Sequence, residues 1–122
     1  MPYQLTIEER PTYVYARVDG DLTPANALRF LEEAYGACVR SGRRDLLLDM
    51  QLHGADLNTT NVYDVISQRA ADGGKLRKIA YVPFQGDDRS MAYFAETVAV
   101  NRGVNVRLFE SVAAAERWLS EP

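Results

Sequence analysis

The chain has 122 residues, is 47% hydrophobic and 25% charged, and carries a formal net charge of −3. That length supports one domain, the balance argues against disorder, and the acidic surplus argues against a nucleic-acid partner. No apolar run reaches the ~18–20 residues of a membrane span. The start, MPYQLTIEER, lacks an apolar signal core, so a cytoplasmic protein with no membrane span is expected. Cys38, the single cysteine, excludes an internal disulfide framework and falls on an apolar helical stripe, as a small buried hydrophobe does.

Gln4 to Ile7 and Thr12 to Val18 read as strands joined by the polar turn Glu8-Glu9-Arg10-Pro11, and so short a connection favours an antiparallel hairpin. In the second strand Val14, Ala16 and Val18 alternate with Tyr13, Tyr15 and Arg17, the pattern of a half-covered strand. If Tyr13 and Tyr15 line an open face, a two-fold homodimer is the simplest way to cover them. Asp19-Gly20-Asp21 is expected to break the strand. Thr23-Pro24 then starts a helix, with a hydroxyl cap followed by proline at the first helical position. Leu28, Leu31, Tyr35, Cys38 and Val39 recur at helical spacing, and Gly42 supplies the stop.

The stretch from Arg43 to Ala70 organises the rest. RRDLLLDM is a short apolar run flanked by charge, as in a central strand covered on both faces. A polar loop, Gln51 to Asn61, leads into a helix from about Asn61 to Ala71, with Val62, Val65 and Ile66 inward and Gly73-Gly74 beyond its end. Lys78 to Val82 is a further strand, closed by Pro83. Asp87 or Asp88 is expected to cap a third helix carrying Met91, Phe94, Ala95, Val98 and Ala99, ended by Gly103. Val104 to Phe109 is the last strand, and Ser111 caps a final helix with Val112, Ala115, Trp118 and Leu119 inward. The order β-β-α-β-α-β-α-β-α predicts a single α/β domain over residues 1–122, with a mostly parallel sheet and right-handed crossovers.

In such sheets ligands meet the loops at the carboxyl ends of the strands, which points to Gln51–Asn61. His53, the one histidine, lies there with Asp49, Asp56, Thr59 and Thr60. A nucleophile–histidine–acid set drawn from Thr59 or Thr60, His53 and Asp49 would make a hydrolase, yet no nucleophile elbow is present and the spacing does not require the set. His53, Asp49 and Asp56 lack a recognised metal-ligand spacing, and no glycine-rich phosphate loop follows a strand. A phospho-receiver would need a helix after the first strand and a lysine after the last, and the chain offers a hairpin and Phe109-Glu110-Ser111 instead. No catalytic, metal-binding or cofactor-binding residue is assigned, no cofactor is implied, and an enzyme is not expected. Arg40, Arg43 and Arg44, then Lys75, Arg77 and Lys78, then Arg102 each follow a predicted helix C-terminus, where cations complement the macrodipole.

The element order, the strand LLLDM with its loop and hydroxyl-bearing helix start, and the ending VNVRLFESVAAAERWL together resemble the SpoIIAA-like group of the STAS-domain superfamily. The resemblance covers roughly Gln4 to Ser120 and implies the anti-sigma-factor-antagonist fold. Antagonists of that group carry an acid, two serines and a glycine at the start of the second helix, and phosphorylation of one serine controls partner exchange. The matching stretch here is Asn58-Thr59-Thr60-Asn61, which keeps both hydroxyls and replaces the acid and the glycine by asparagine. Other members resemble lipid- or small-ligand-binding domains. The leading expectation is a non-enzymatic regulatory module. It would bind a protein partner through Asp49, Gln51, His53, Asp56, Asn58 and Asn61, with Thr59 and Thr60 as helix cap or phospho-acceptor. The alternative is a carrier of a small apolar ligand or lipid, which needs an apolar pocket between strands and helices. A His53-dependent hydrolase is a minor third.

Overall fold

The structure is a computed structural model that describes residues 3–21, 23–53, 58–84 and 89–122, the side chains of Leu52 and His53 excepted. Alternation of polarity makes the strands β1 (Tyr3–Glu9) and β2 (Val14–Asp21) an antiparallel hairpin, with Leu5 opposite Val18 and Ile7 opposite Ala16. Thr23 then caps α1 (Pro24–Ser41), its side-chain oxygen accepting the Asn26 amide at 3.1 Å. Gly42 stops the helix with φ 72°, a left-handed conformation that a side chain would strain. The strand β3 (Asp45–His53) runs parallel to β2 and to β4 (Lys78–Val82), and β5 (Val106–Leu108) runs parallel to β4. The helices α2 (Thr59–Gly73) and α3 (Ser90–Asn101) make the later crossovers, and α4 (Val112–Leu119) ends the chain.

The strand order in space is the order in sequence, β1 to β5. The helices of the three crossovers therefore line up on one face, where α1 meets α2 and α2 meets α3. Val14, Ala16 and Val18 of β2 and Leu46, Leu48 and Met50 of β3 face them. The residues between, Leu47 of β3 with Ala80 and Val82 of β4, point the other way and pack on Ala115, Trp118 and Leu119 of α4. Leu46-Leu47-Leu48 is thus covered on both faces, as its unbroken apolar run predicts.

Several expectations shift. Asp19-Gly20-Asp21 does not break β2: it pairs with Gln51, Leu52 and His53, so those three extend β3 rather than open a loop. Gly20 allows the extension at φ 127°, outside the range comfortable for a side chain. Val39 is 74% exposed. The buried stripe of α1 is rotated toward Ala27, Phe30, Leu31, Ala34, Ala37 and Cys38. Tyr13 and Tyr15 do not line an open face, because α4 packs over them. Asp87 and Asp88, expected to cap α3, lie outside the described residues.

Candidate functional site

The end of β3 holds the first candidate cluster. Asp49 is expected at the loop, but by strand alternation it falls on the α4 face and is only 5% exposed. Both its oxygens are engaged, one by the Tyr15 hydroxyl and the other by the Gln51 side-chain amide at 2.9 Å. Burial and then the Asp49 carboxylate push the Tyr15 hydroxyl up to about 12. A carboxylate so committed has a structural task, since freeing it would leave a buried charge unpaired. Asp56 lies outside the described residues. His53 is placed by its backbone at the end of β3, paired with Asp21.

The start of α2 differs from expectation in its cap. Asn58, not Thr59 or Thr60, caps the N-terminus of the helix: its side-chain oxygen accepts the Asn61 amide at 2.8 Å. The Asn61 side chain returns the bond to the Asn58 amide at 3.3 Å. Asparagine reaches the third helical N–H as well as a hydroxyl does, so the two asparagines form the reciprocal box and leave both threonines in the first helical turn. Asn58, Thr59 and Thr60 are all exposed.

The concave feature is elsewhere. A cavity of about 490 Å³ lies between the sheet and helices α1 to α3. Leu48, Met50, Ile79, Tyr81 and Val106 make its floor. Its helical wall includes Phe30 and Leu31 of α1 and Val62, Val65 and Ile66 of α2, and at the carboxyl end of β4 it includes Pro83, Phe84, Arg89 and Ser90. The space exists because Ala27, Ala70, Ala92, Ala95 and Ala99, from three helices, stand where longer side chains would fill it.

Its charged lining is already paired. Arg69 donates to the Leu28 carbonyl and to the Glu32 carboxylate, both at 3.0 Å. Glu96 accepts the Leu108 amide at 2.8 Å, satisfying a donor of the edge strand β5. Arg89 faces Glu110 at 3.7 Å. Two tyrosines are different. Among the described residues neither the Tyr81 nor the Tyr35 hydroxyl has a hydrogen-bond partner. Burial alone pushes Tyr81 up to about 12, and burial, followed by the Asp72 carboxylate, raises Tyr35 as well. Among the described residues no group of three or more His, Cys, Asp or Glu side chains is arranged to hold a metal.

The fold has a counterpart among solved structures. An uncharacterised protein of the DUF3478 family from Shewanella loihica PV-4, with a SpoIIAA-like fold, superposes with a TM-score of 0.57. The match covers 96% of this chain and 93% of that one. The fold is SpoIIAA-like. At 17% identity the likeness extends to the fold alone. Neither a protein-family model nor a curated protein matches the chain. Sequence reasoning named an apolar pocket between strands and helices as what a carrier would need, but it could not place that pocket and gave Tyr35 and Tyr81 no part in it. The one available signal was the small inner face of α3, with Ala95 and Ala99 already assigned inward. No helix among the described residues is long and apolar enough to cross a membrane.

Proposed function

We propose that this SpoIIAA-like domain is a non-enzymatic binding module that holds a small, mainly apolar molecule between the sheet and helices α1 to α3. The observation that carries the reading is the alanine-lined cavity of about 490 Å³, within the range of small-ligand sites. At about 30 Å³ of liquid per water, it matches a ligand of about 15 non-hydrogen atoms. The commitment of Asp49 to Tyr15 and Gln51 favours binding over His53-dependent hydrolysis, because the acid of that set is already occupied.

N-phenyl-1-naphthylamine, a neutral dye that brightens in apolar surroundings, tests this. Saturable binding at one site per chain is expected, with Ala95→Leu weakening it several-fold while the fold persists. No saturable binding by the wild type, or undiminished binding by the variant, would sink the proposal.

A second reading keeps a protein partner, and a specific observation favours it. Thr59 and Thr60 are exposed and free of capping duty, on the same helix whose Val62 and Val65 line the cavity. A partner touching that helix start could sense both a phosphate on a threonine and the filling of the cavity. Gln51, His53, Asp56 and Asn61 would belong to the same contact surface.

A further inference from the structure

The floor of the cavity carries a donor, the Tyr81 hydroxyl, with no acceptor among the described residues. Tyr81 lies mid-sheet, in register with Leu48 on one side and Leu108 on the other, and its side chain faces the helices with Ile79. A hydroxyl that lines an apolar pocket without a partner among the described residues offers a bond to whatever enters it. Tyr35 is a weaker candidate, because its oxygen is pressed against the end of α2: a Cβ placed on Gly73 would lie 3.2 Å from it. Tyr81 shares the pocket lining with Leu48, Ile79 and Val106, and among the described residues burial is the sole cause of its altered acidity.

The charges around the cavity reinforce this. Arg69 and Glu96 spend their hydrogen bonds on Leu28, Glu32 and Leu108, and Arg89 stands against Glu110. An anionic head seated beside Tyr81 would lose its hydration and gain one phenol in return, a poor exchange in an apolar wall. A neutral oxygen loses far less and satisfies the donor.

Resting on the reading of the cavity as a ligand site, we propose that its occupant is an uncharged molecule with a ketone, ester or ether oxygen on an apolar body, and that Tyr81 donates the hydrogen bond that orients it. Recognition is by one hydrogen bond within a mainly apolar cleft, so ligand shape and the position of that oxygen set specificity.

Three naphthalenes of nearly equal size test it by calorimetry: 2-acetylnaphthalene, 2-isopropenylnaphthalene and 2-naphthoate. Wild type should bind the ketone about fivefold to tenfold more tightly than the hydrocarbon, the worth of one neutral hydrogen bond, and the carboxylate most weakly. Tyr81→Phe should erase the ketone's advantage while keeping the hydrocarbon's affinity, which also verifies that the variant's cavity is intact. If the naphthalenes bind without preference, if the carboxylate binds best, or if the ketone's advantage survives in Tyr81→Phe, this inference fails while the cavity reading stands. If none of the three binds, both fail together.

Discussion

The two faces of the sheet differ in how fully their tyrosines are paired. On the α4 face, Tyr13 gives its hydroxyl to Glu116 at 2.5 Å and Tyr15 gives its own to Asp49. On the α1–α3 face, Tyr3 at the edge donates to Glu33 at 2.8 Å, whereas Tyr35 and Tyr81 have no partner among the described residues. The α4 face also holds its cations. Lys78 is buried under α4 and donates to the Trp118 and Glu121 carbonyls at 2.7 and 2.6 Å, holding the last turn of that helix where its dipole favours a cation. Arg77 clasps Asp45 with two bonds, and Arg107 lies over the Phe109 and Trp118 rings. The α4 face packs closely on Trp118 and Leu119, whereas the α1–α3 face carries the larger buried cluster and, at one end of it, the alanine-bordered pocket.

The largest expected effect comes from alkali. Tyr81 is raised from 10.0 to about 12 by burial alone, so the folded form holds a proton that the unfolded chain releases earlier. Its contribution is complete below pH 10 and is lost as pH rises through about 12. At about 1.4 kcal/mol per unit, that loss is about 2–3 kcal/mol. Denaturant melts at rising pH should show the wild type losing stability over this window, and Tyr81→Phe losing less by that amount. Tyr13, also raised to about 12 by burial and then by Glu116, owes part of its shift to a charge near solvent. Added salt should therefore soften the alkaline loss in a Tyr13-containing protein more than in Tyr13→Phe, and leave the Tyr81 share unchanged. Equal pH dependence of wild type and Tyr81→Phe would break the comparison.

Next in size is a pair of identical substitutions with opposite signs. Ala115 is fully buried among Leu47, Trp118 and Leu119, so Ala115→Leu should destabilise by about 1–3 kcal/mol through overpacking. Ala95 borders the cavity, so Ala95→Leu should be neutral or stabilise by about 0.5–2 kcal/mol by filling space. Thermal and denaturant midpoints would read both. A destabilised Ala95→Leu would mean that the α3 face is as tightly packed as the other.

These two faces were unequally legible in the sequence. α4 could be read to the residue, because its cap, Ser111, and its inward set, Ala115, Trp118 and Leu119, are local. Ser111 indeed accepts the Ala114 amide at 3.1 Å. The α/β order and the hairpin followed from periodicity in the same way. The cavity is the meeting of alanines from α1, α2 and α3, and no single segment carries it. Gln51 to His53 look like a loop because their polarity is local information, whereas their pairing with Asp19 to Asp21 is not. Asp49 was singled out for its position at a strand end, but its face was decided by alternation against Leu48 and by Tyr15 across the strand pair. The assignment of Lys78 to the C-terminus of α2 failed for the same reason, since the helix end it serves is that of α4.

The smallest effect separates cap from surface at the start of α2. Asn58 holds the Asn61 amide, so Asn58→Ala should cost about 1 kcal/mol. Thr59 and Thr60 hold no capping bond, and replacing either by alanine should stay within about 0.5 kcal/mol of wild type. Thr60→Glu adds a negative charge beside the positive end of the helix dipole, which stabilises by about 0.3–1 kcal/mol at low salt. A phosphate there would thus be tolerated by the fold, and any loss of a protein partner in Thr60→Glu would be read as surface chemistry rather than unfolding. Capture of the same partner by Thr60→Glu and wild type, at matched melting temperature, would remove the switch and leave the helix start as structure. A loss of about 1 kcal/mol in Thr60→Ala would instead return the cap to the threonine. It would also undo the distinction between a helix start held by asparagines and one presented for contact.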